Sequence, residues 1–341
     1  MNAYPNDIQR INDFALPWQR LSGANILVTG ATGLIGSALV DALMRHPGRD
    51  YHVYAAGRNE ERAAERFRDY QADASFHFLK YEVMQPLQTD VAYHYIIHAA
   101  SPGSPNFFSS NPVEVMKANL MGVTHLMEYG LAHDMRRFLY VSSGEVYGEC
   151  ADVPFTEQSS GYVNPTNPRA CYPSSKRAAE TLCVAYAAEY GADVVIARPC
   201  HTYGPGFTES DNRAYAQFIR LAREGKDIIL KSPGLQMRSW CYVVDAVNAL
   251  LHILLKGESS QAYYVADDTS NLTIRQLAEH IARIGGCQVR FEVDEALMRH
   301  NDIISRAVFD TARLRSLGWH PIADVEHNLR SSVQALAPIS L

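Results

Sequence analysis

The segment NILVTGATGLIG, residues 25–36, places an apolar strand directly before three glycines and the start of a helix. Gly30 permits a tight turn, Gly33 lets a pyrophosphate approach the backbone with no Cβ in the way, and Gly36 lets the helix pack closely on the strand. A pyrophosphate would then lie at the positive end of that helix. The spacing is G-x-x-G-x-x-G, and glycines at this density also occur in ordinary turns, so it is the strand-to-helix context that predicts a nucleotide site.

The composition excludes several classes of protein. With 341 residues the chain has room for one large domain or two coupled ones, with a sizeable core. Hydrophobic residues make up 47% and charged residues 20%, and the formal net charge is -6, which argues against a disordered chain and against a nucleic-acid partner. An anionic substrate must therefore be bound by a local cluster of basic residues.

Cysteine usage and the N-terminal segment bear on location. The six cysteines form no CxxC pair and stand in apolar or helical contexts, which favours reduced packing residues over a disulfide or metal framework. We therefore expect no metal site and a cytoplasmic location. The segment 1–20 has no continuous apolar core, and no stretch approaches a membrane span, so we expect neither secretion nor a membrane partner. Residues 1–22 are predicted to form an extension with a short helix through Ile8, Ile11, Phe14 and Leu16 that packs on the body or on a partner chain.

Short apolar runs alternate with amphipathic stretches along the first two thirds of the chain. Strands are expected near residues 53–56, 76–79, 95–99, 138–142 and 194–197. This alternation predicts an α/β protein with a Rossmann-type doubly wound parallel sheet. Residues 23–199 would form the dinucleotide-binding domain that carries the catalytic residues. Residues 200–341, with a helix over 212–225, would mainly form a smaller C-terminal substrate-binding lobe, with some segments returning to the sheet.

Tyr172 and Lys176 lie in the segment RACYPSSKRAAETLCVAYAAEYG, which reads as a helix that ends at Gly191. A spacing of four places the two side chains on one helical face. A tyrosine with its usual pKa near 10 is a poor base, but a neighbouring ammonium and an oxidised nicotinamide both favour the phenolate. Tyr172 is thereby a candidate to take a proton from a hydroxyl. The alternative for this pair alone is an ordinary amphipathic helix surface.

The strand LYVSSGEVYG, residues 139–148, ends in two serines at the carboxyl edge of the predicted sheet, where ligands bind in such folds. Of the two, Ser143 is the better candidate to hold a reacting hydroxyl or carbonyl, although serines at strand ends also cap turns. Glu145 is a candidate to move a second proton, and its alternative is a solvated loop glutamate.

Four motifs in this order and spacing, TGATGLIG, HAASPGSP, SSGEVYG and YPSSK, resemble the extended short-chain dehydrogenase/reductase family of nucleotide-sugar epimerases, dehydratases and decarboxylases. The resemblance covers the chain from about Ala24 to Trp319. It implies a bound nicotinamide dinucleotide, a nucleoside-diphosphate sugar in the C-terminal lobe and transient oxidation at sugar C4. The catalytic set that it implies is Ser143, Glu145, Tyr172 and Lys176.

The resemblance also implies the residues that contact the dinucleotide. Glu82 and Val83 match an acidic-apolar pair at the adenine, and Asn119 matches a helix asparagine behind the active site. The full implied set is Gly30, Thr32, Gly33, Leu34, Ile35, Gly36, Arg58, Glu82, Val83, Ala99, Ala100, Asn119, Ser142, Tyr172, Lys176 and Pro199.

Within this family the chain is most similar to UDP-glucuronate decarboxylases, whose HLASPASP and SEVYG runs resemble HAASPGSP and GEVYG here. Ser101 would then lie near the sugar. Decarboxylases and 4,6-dehydratases share the glutamate matched by Glu145, whereas the aspartate that dehydratases place before it is Gly144 here. We therefore expect a decarboxylase first, then a 4-epimerase or 4,6-dehydratase, and, as another class, a non-catalytic nucleotide-binding regulatory protein.

Substrate-binding residues follow from the same resemblance. His201 stands where the family often has an asparagine near the sugar phosphates, and it can either donate to a phosphate or pack in the loop. Arg238 and Arg306 match arginines that bind the sugar diphosphate, a task suited to their forked donors. The substrate-binding set is thus Ser101, Ser143, Glu145, His201, Arg238 and Arg306.

The residues that follow the strand HVYAA bear on the choice of cofactor. The strand HVYAA ends at Gly57-Arg58, where an NAD enzyme typically carries an acid for the ribose hydroxyls. Arg58 could pair with a 2′-phosphate, stack on the adenine or start the next helix, so NAD is expected first and NADP second.

By analogy with relatives, we expect a homodimer that pairs the helices around residues 113–129 and 174–190.

Overall fold

The computed structural model describes residues 3–103, 105–209, 211–293 and 306–335. Its centre is a seven-stranded sheet that separates two layers of helices. The strands of this sheet are β1 (Asn25–Thr29), β2 (His52–Gly57), β3 (Phe76–Lys80), β4 (Tyr95–His98), β5 (Arg137–Val141), β6 (Val194–Pro199) and β11 (Ala262–Val265).

The strands lie in the order β11-β6-β5-β4-β1-β2-β3, and every neighbouring pair is parallel. The chain adds β2 and β3 on one side of β1, and β4, β5, β6 and β11 on the other. The strand order therefore reverses between β1 and β4, and in open α/β sheets that reversal marks a ligand crevice.

Eleven α-helices are seen within the described residues. They are α1 (Tyr4–Arg10), α2 (Leu34–Met44), α3 (Glu60–Arg66), α4 (Pro105–Ser110), α5 (Pro112–Ala132), α6 (Cys171–Tyr190), α7 (Ala214–Arg223), α8 (Val243–Lys256), α9 (Ile274–Gly285), α10 (Ala312–Ser316) and α11 (Val325–Gln334).

Helices cover both faces of the sheet. Along β1, Ile26 and Val28 belong to one core cluster and Leu27 to the other, because successive side chains point to opposite faces. Helices α2 and α8 pack against each other on the first face, and α5 and α6 pack against each other on the second. Both faces of the sheet are buried, which explains why its strands read as continuous apolar runs.

The smaller lobe contains three short sheets. Strand β7 (Thr202–Tyr203) pairs with β10 (Cys241–Tyr242), and β8 (Ile228–Leu230) pairs with β13 (Val289–Phe291). In the third sheet, β9 (Met237–Ser239) lies between β12 (Asn271–Thr273) and β14 (Arg306–Ala307). Helices α7, α9 and α11 pack together beside these sheets.

The helix expected through Ile8, Ile11, Phe14 and Leu16 is only partly confirmed: α1 spans Tyr4–Arg10, a 3-10 turn follows at Ile11–Asp13, and Phe14 and Leu16 lie beyond both. Ile8 and Ile11 are buried in the main core, and Tyr4 donates a hydrogen bond of 2.7 Å to Asp41 in α2. The carboxylate of Asp7 is also buried and accepts hydrogen bonds from Tyr242 at 3.0 Å and Ser331 at 2.8 Å. These hydrogen bonds join α1 to α2, β10 and α11.

The doubly wound fold predicted from the sequence is confirmed, and each of the five predicted strands is observed within about two residues of its expected ends. The helix expected over residues 212–225 is α7, from Ala214 to Arg223. The strand β11 returns to the main sheet from residues 262–265, beyond the expected boundary at residue 199. None of the described helices has the length and apolar character needed to cross a bilayer, and all six cysteines are free thiols.

Candidate active site

A cavity of about 510 Å³ opens at the carboxyl ends of β1, β4, β5 and β6, where the strand order reverses. Loops of the smaller lobe close its other side. Of the residues predicted from the sequence, those that line it are Gly30, Thr32, Gly33, Leu34, Ile35, Gly36, Arg58, Ala99, Ser101, Ser142, Ser143, Glu145, Tyr172, Lys176, Pro199 and His201.

The glycine-rich turn between β1 and α2 is fixed by close backbone contacts. Gly30 has a φ of +67°, and a Cβ there would lie only 2.7 Å from the carbonyl oxygen of Ala99. A Cβ on Gly36 would overlap the carbonyl of Gly30, so α2 starts in direct contact with the turn. The first turn of α2 therefore faces the cavity with amide groups that have no partner within the helix, which suits a pyrophosphate.

Tyr172 lies in the first turn of α6, next to Ser143 at the end of β5. Burial and the carboxylate of Glu145 raise the pKa of Tyr172, whereas a hydrogen bond from Ser143 and the charge of Arg213 lower it. The raising effects are larger, and the pKa is about 12. The sequence analysis expects a neighbouring ammonium and an oxidised nicotinamide to favour the phenolate, and within the chain itself burial outweighs the nearby cations. A positive charge from a bound group would be needed to favour the phenolate.

Lys176 lies one turn further along α6 and is almost completely buried. Its Nζ donates a hydrogen bond of 2.9 Å to the carbonyl of Val141 and lies 4.8 Å from the ring centroid of Tyr140 and 5.9 Å from that of Tyr172. Burial lowers the pKa of Lys176 to about 7. Lys176 is thus held at the floor of the cavity and can lose its proton near neutral pH.

Glu145 follows Ser143 in a short 3-10 turn, Gly144–Tyr147, and Ser143 accepts a hydrogen bond of 3.1 Å from its amide. Its carboxylate pairs with Arg169 at 3.1 Å. The guanidinium of Arg169 lies 4.9 Å from the ring of Phe108, and that ring stacks on Tyr172 with centroids 4.3 Å apart. A carboxylate is therefore held at the mouth of the cavity close to the phenol.

Asn119 lies behind the cavity and is fully buried in α5. It accepts a hydrogen bond of 2.8 Å from Ser101 and donates one of 2.9 Å to Ser175, which in turn donates to the carbonyl of Cys171. Asn119 thus links the loop after β4 to the first turn of α6. It supports Ser101 and the turn that carries Tyr172, and it does not itself line the cavity.

Several predicted residues stand outside the cavity lining. They are Glu82, Val83, Ala100, Asn119, Arg238 and Arg306. Glu82 pairs with Arg58 at 3.5 Å. Arg238 donates to the carbonyl of Met237, and Arg306 is exposed on β14, so their roles at a sugar diphosphate stay predictions. The region 294–305, which precedes Arg306, lies outside the described residues.

The structure adds residues that the sequence reading missed. On the large domain they are Arg62, Gly103, Val141, Gly144 and Tyr147, and in the smaller lobe they are Cys200, Thr202, Thr208, Asp211, Arg213 and Phe309. Arg213 is held by Asp211 at 2.6 Å and acts on the pKa of Tyr172. Arg62 could have been found, because it follows Arg58 by one helical turn. Asp211 and Arg213 stand in an irregular segment with no periodic signal.

The arrangement suits proton transfer beside a dinucleotide. The glycine turn offers amides for a pyrophosphate, and Ser143 and Tyr172 together can hold a hydroxyl or carbonyl oxygen. His201 lines the sugar side, where burial and Arg238 lower its pKa to about 3, so it is a neutral ring. Among the described residues no group of three His, Cys, Asp or Glu side chains could hold a metal ion.

Comparisons with known proteins agree with this geometry. The model of the NAD dependent epimerase/dehydratase family matches residues 26–266. A UDP-glucuronic acid decarboxylase from Arabidopsis thaliana is 33% identical over 314 residues, covering 90% of this chain and 87% of the relative. Another from Xenopus tropicalis is 32% identical, covering 90% of this chain and 71% of the relative.

Solved structures share the fold. A UDP-glucose 4-epimerase from Thermotoga maritima superposes with a TM-score of 0.77 at 23% identity, covering 91% of this chain and 98% of that chain. A dTDP-glucose 4,6-dehydratase from Streptomyces venezuelae with NAD bound gives 0.76 at 23% identity, covering 91% and 96%. The length of the family match, with relatives above 30% identity, makes this chain an enzyme of the NAD dependent epimerase/dehydratase family.

Proposed function

We propose that this enzyme oxidises C4 of a nucleoside-diphosphate sugar with a tightly held nicotinamide dinucleotide, and that its reaction is the decarboxylation of UDP-glucuronate. The observation that carries the oxidation is the meeting of Tyr172, Ser143 and Lys176 in the cavity that the glycine turn also lines. The curated relatives above 30% identity that support decarboxylation are named for that reaction.

The residues present suit the dinucleotide. The turn from Gly30 to Gly36 would hold its pyrophosphate, and the adenosine end would lie toward Arg58. When bound, the nicotinamide accepts a hydride from sugar C4 and later returns it. Tyr172 takes the proton of the C4 hydroxyl, while Ser143 donates to the same oxygen and holds it in place. Lys176 fixes the base of α6 through its bond to Val141.

Decarboxylation follows from the ketone. A carbonyl at C4 is beta to the C6 carboxylate, so the electrons of the breaking C5–C6 bond move into the C4 oxygen as an enolate while carbon dioxide leaves. A proton then adds to C5, and Tyr172 returns its proton to the C4 oxygen. Glu145 lies beside Tyr172, and its carboxylate relays to C5 a proton taken from solvent.

The alternatives are a 4-epimerase and a 4,6-dehydratase. Dehydration needs an acid for the leaving hydroxyl, and the position that carries an aspartate in dehydratases is Gly144 here. A Cβ at Gly144 would lie 2.7 Å from the Sγ of Cys200 and 3.2 Å from the ring of Phe309. A side chain at residue 144 would therefore require Cys200 to shift, which disfavours dehydration.

A non-catalytic nucleotide-binding regulatory protein is the candidate of another class. Such a protein needs the glycine turn and no acid–base groups. The retention of Tyr172, Ser143 and Lys176 side by side in the cavity argues for catalysis.

The assembly and location belong to the same proposal. Exposed apolar side chains cluster on α5 and α6, where a second copy would pair, and they are Val113, Met116, Met121, Leu131, Val184 and Tyr190. We infer a homodimer formed through these two helices. Six free thiols support a reducing, cytoplasmic location. The dinucleotide-binding domain over residues 23–199 and the sugar lobe over 200–341 are proposed as the functional division.

The test is a mass-spectrometric screen of purified protein against UDP-, dTDP-, GDP- and CDP-sugars. Loss of carbon dioxide from UDP-glucuronate supports the proposal, loss of water indicates a dehydratase, and a new isomer of unchanged mass indicates an epimerase. No conversion of any sugar by protein that carries the dinucleotide would favour the regulatory alternative.

A further inference from the structure

Two arginines lie at the adenosine end of the cavity, one turn apart. Arg58 follows β2 directly, and Arg62 stands in the first turn of α3. The Nε and Nη2 of Arg62 are buried and have no hydrogen-bond partner among the described residues. Burial accordingly lowers the pKa of Arg62. Buried guanidinium nitrogens without an acceptor are costly, so this geometry favours a ligand with negative charge.

The neighbouring acids do not fill this role. Glu82 pairs with Arg58 at 3.5 Å, and the side chain of that arginine is 78% exposed. Glu60 pairs with Lys80 at 2.7 Å on the outer surface. The carboxylate of Asp41 is buried against Arg66 and Tyr70 on the other side of α3.

The end of β2 carries no acid, although the backbone of Gly57 tolerates a Cβ. Gly57 is not in the left-handed region of φ, and a Cβ there would meet Thr32 at 3.6 Å, an ordinary contact. An aspartate at this position would bind the ribose hydroxyls of NAD and repel a 2′-phosphate. The absence of an acid at this position, beside Arg58 and Arg62, therefore favours a ribose that carries a 2′-phosphate.

We propose that Arg58 and Arg62 bind the 2′-phosphate of the adenosine ribose, so that this enzyme holds NADP in preference to NAD. The inference rests on the proposed dinucleotide site and goes beyond the cofactor that the family's name gives. Two guanidinium forks can together donate to three phosphate oxygens, and the phosphate supplies the missing partner for the buried nitrogens of Arg62.

The test measures dissociation constants of NADP and NAD on the purified protein by calorimetry, after bound dinucleotide has been removed and with no sugar present. The wild type is expected to bind NADP at least about tenfold more tightly than NAD, a difference of about 1.4 kcal/mol. Arg62→Ala and Arg58→Ala should each weaken NADP by about tenfold and NAD by less than about twofold. Arg68→Ala, an exposed arginine just beyond α3, is the matched control and should change neither.

Gly57→Asp supplies the converse result, because it should invert the preference toward NAD. Arg62→Gln keeps the polar stem and replaces Arg62→Ala if that variant has a lowered melting temperature. Equal losses of NADP and NAD in the arginine variants would mean that the guanidinium groups only stack or pack, and tighter wild-type binding of NAD would overturn the proposal outright. Failure of the sugar screen with tight NADP binding would overturn the proposed reaction and leave this inference standing.

Discussion

The guanidinium of Arg169 joins Glu145 to the ring that covers Tyr172. It lies 3.1 Å from the carboxylate of Glu145 and 4.9 Å from the centroid of Phe108, which stacks on Tyr172. The acid is therefore an ion-paired loop glutamate whose side chain is 41% exposed. Its charge reaches the phenol and raises the pKa of Tyr172.

Glu145→Gln should separate the first chemical step from the later ones. The amide keeps the size of the side chain and removes the carboxylate that relays the proton, so C4 oxidation continues while protonation at C5 stalls. We expect the reduced dinucleotide to accumulate, seen as absorbance of bound nicotinamide, with product formation slowed about a hundredfold or more. Glu149→Gln, an exposed glutamate four residues on, is the control. Product at the wild-type rate in Glu145→Gln would move the epimerase alternative to first place.

Tyr172→Phe should keep the fold and the bound dinucleotide and lower kcat by at least about a hundredfold, the usual contribution of a positioned acid–base group. The ring and its stacking on Phe108 are retained, so only the hydroxyl is lost. Steady-state kinetics and the dinucleotide content of the purified variant are the measurements. Tyr162→Phe removes a hydroxyl from an exposed tyrosine and should be neutral. Near-normal turnover in Tyr172→Phe would remove the residue from the mechanism.

Gly144→Ala should lower stability, because its Cβ would press on Cys200 and Phe309. We expect a loss of about 1–3 kcal/mol in the free energy of unfolding, the usual cost of an overpacked core. Denaturant unfolding gives the value. Gly57→Ala is the control, since its Cβ makes only ordinary contacts and should change stability by less than about 1 kcal/mol. Unchanged stability in Gly144→Ala would show that Cys200 moves aside and that an acid could be accommodated there.

The buried carboxyl of Asp245 should make the free energy of unfolding depend on pH. It is buried in α8, and burial raises its pKa to about 8, although the amides of Ile322 and Asn328 donate to it. In the unfolded chain the carboxyl has a pKa of about 3.9, so between about pH 4 and 8 the native state binds more protons. Its contribution to stability is therefore fully present below about pH 4 and is lost as the pH rises through about 8.

The measurement is the free energy of unfolding across that range for wild type and Asp245→Asn. The amide oxygen of Asn328 has no hydrogen-bond partner among the described residues. If the Asn328 amide turns, that oxygen can accept a hydrogen bond from the amide that Asp245→Asn introduces. We expect the difference between the two proteins to shift by at least about 1.4 kcal/mol in favour of Asp245→Asn from about pH 5 to about pH 8. Parallel curves for the two proteins would exclude Asp245 as the source.

Val184→Glu should disrupt the proposed dimer. Val184 is exposed in the monomer, on α6, where the second copy would bury it. Light scattering at micromolar concentration should give a dimeric mass for the wild type and a monomeric one for the variant. Leu235→Glu, at a residue 70% exposed on the smaller lobe, should stay dimeric. A monomeric wild type would contradict the assembly.

The parts of the site that the sequence predicts are those made by neighbouring residues. Gly30, Gly33 and Gly36 act within one turn, and Tyr172 and Lys176 within one helix, so local spacing is enough to place them. The burial and the approach of Glu145, which raise the pKa of Tyr172 within the chain itself, are tertiary effects and could not be predicted from this spacing.

The far wall of the cavity could not be predicted from local spacing. Gly144, Cys200 and Phe309 meet from three distant segments, and their contact depends on how the smaller lobe folds back on the sheet. Asp211 and Arg213 stand in a segment without regular structure, where no periodicity exists to read. Arg238 and Arg306 match a family pattern in sequence, yet neither lines the cavity.

The buried carboxylate of Asp7 has a consequence for biosynthesis. Its partners Tyr242 and Ser331 follow it by 235 and 324 residues. During translation, a helix made among the first residues cannot complete its contacts until nearly the whole described chain has left the ribosome. We therefore expect ribosome-stalled chains that lack residues 325–334 to expose α1 to limited proteolysis, while the released protein protects it.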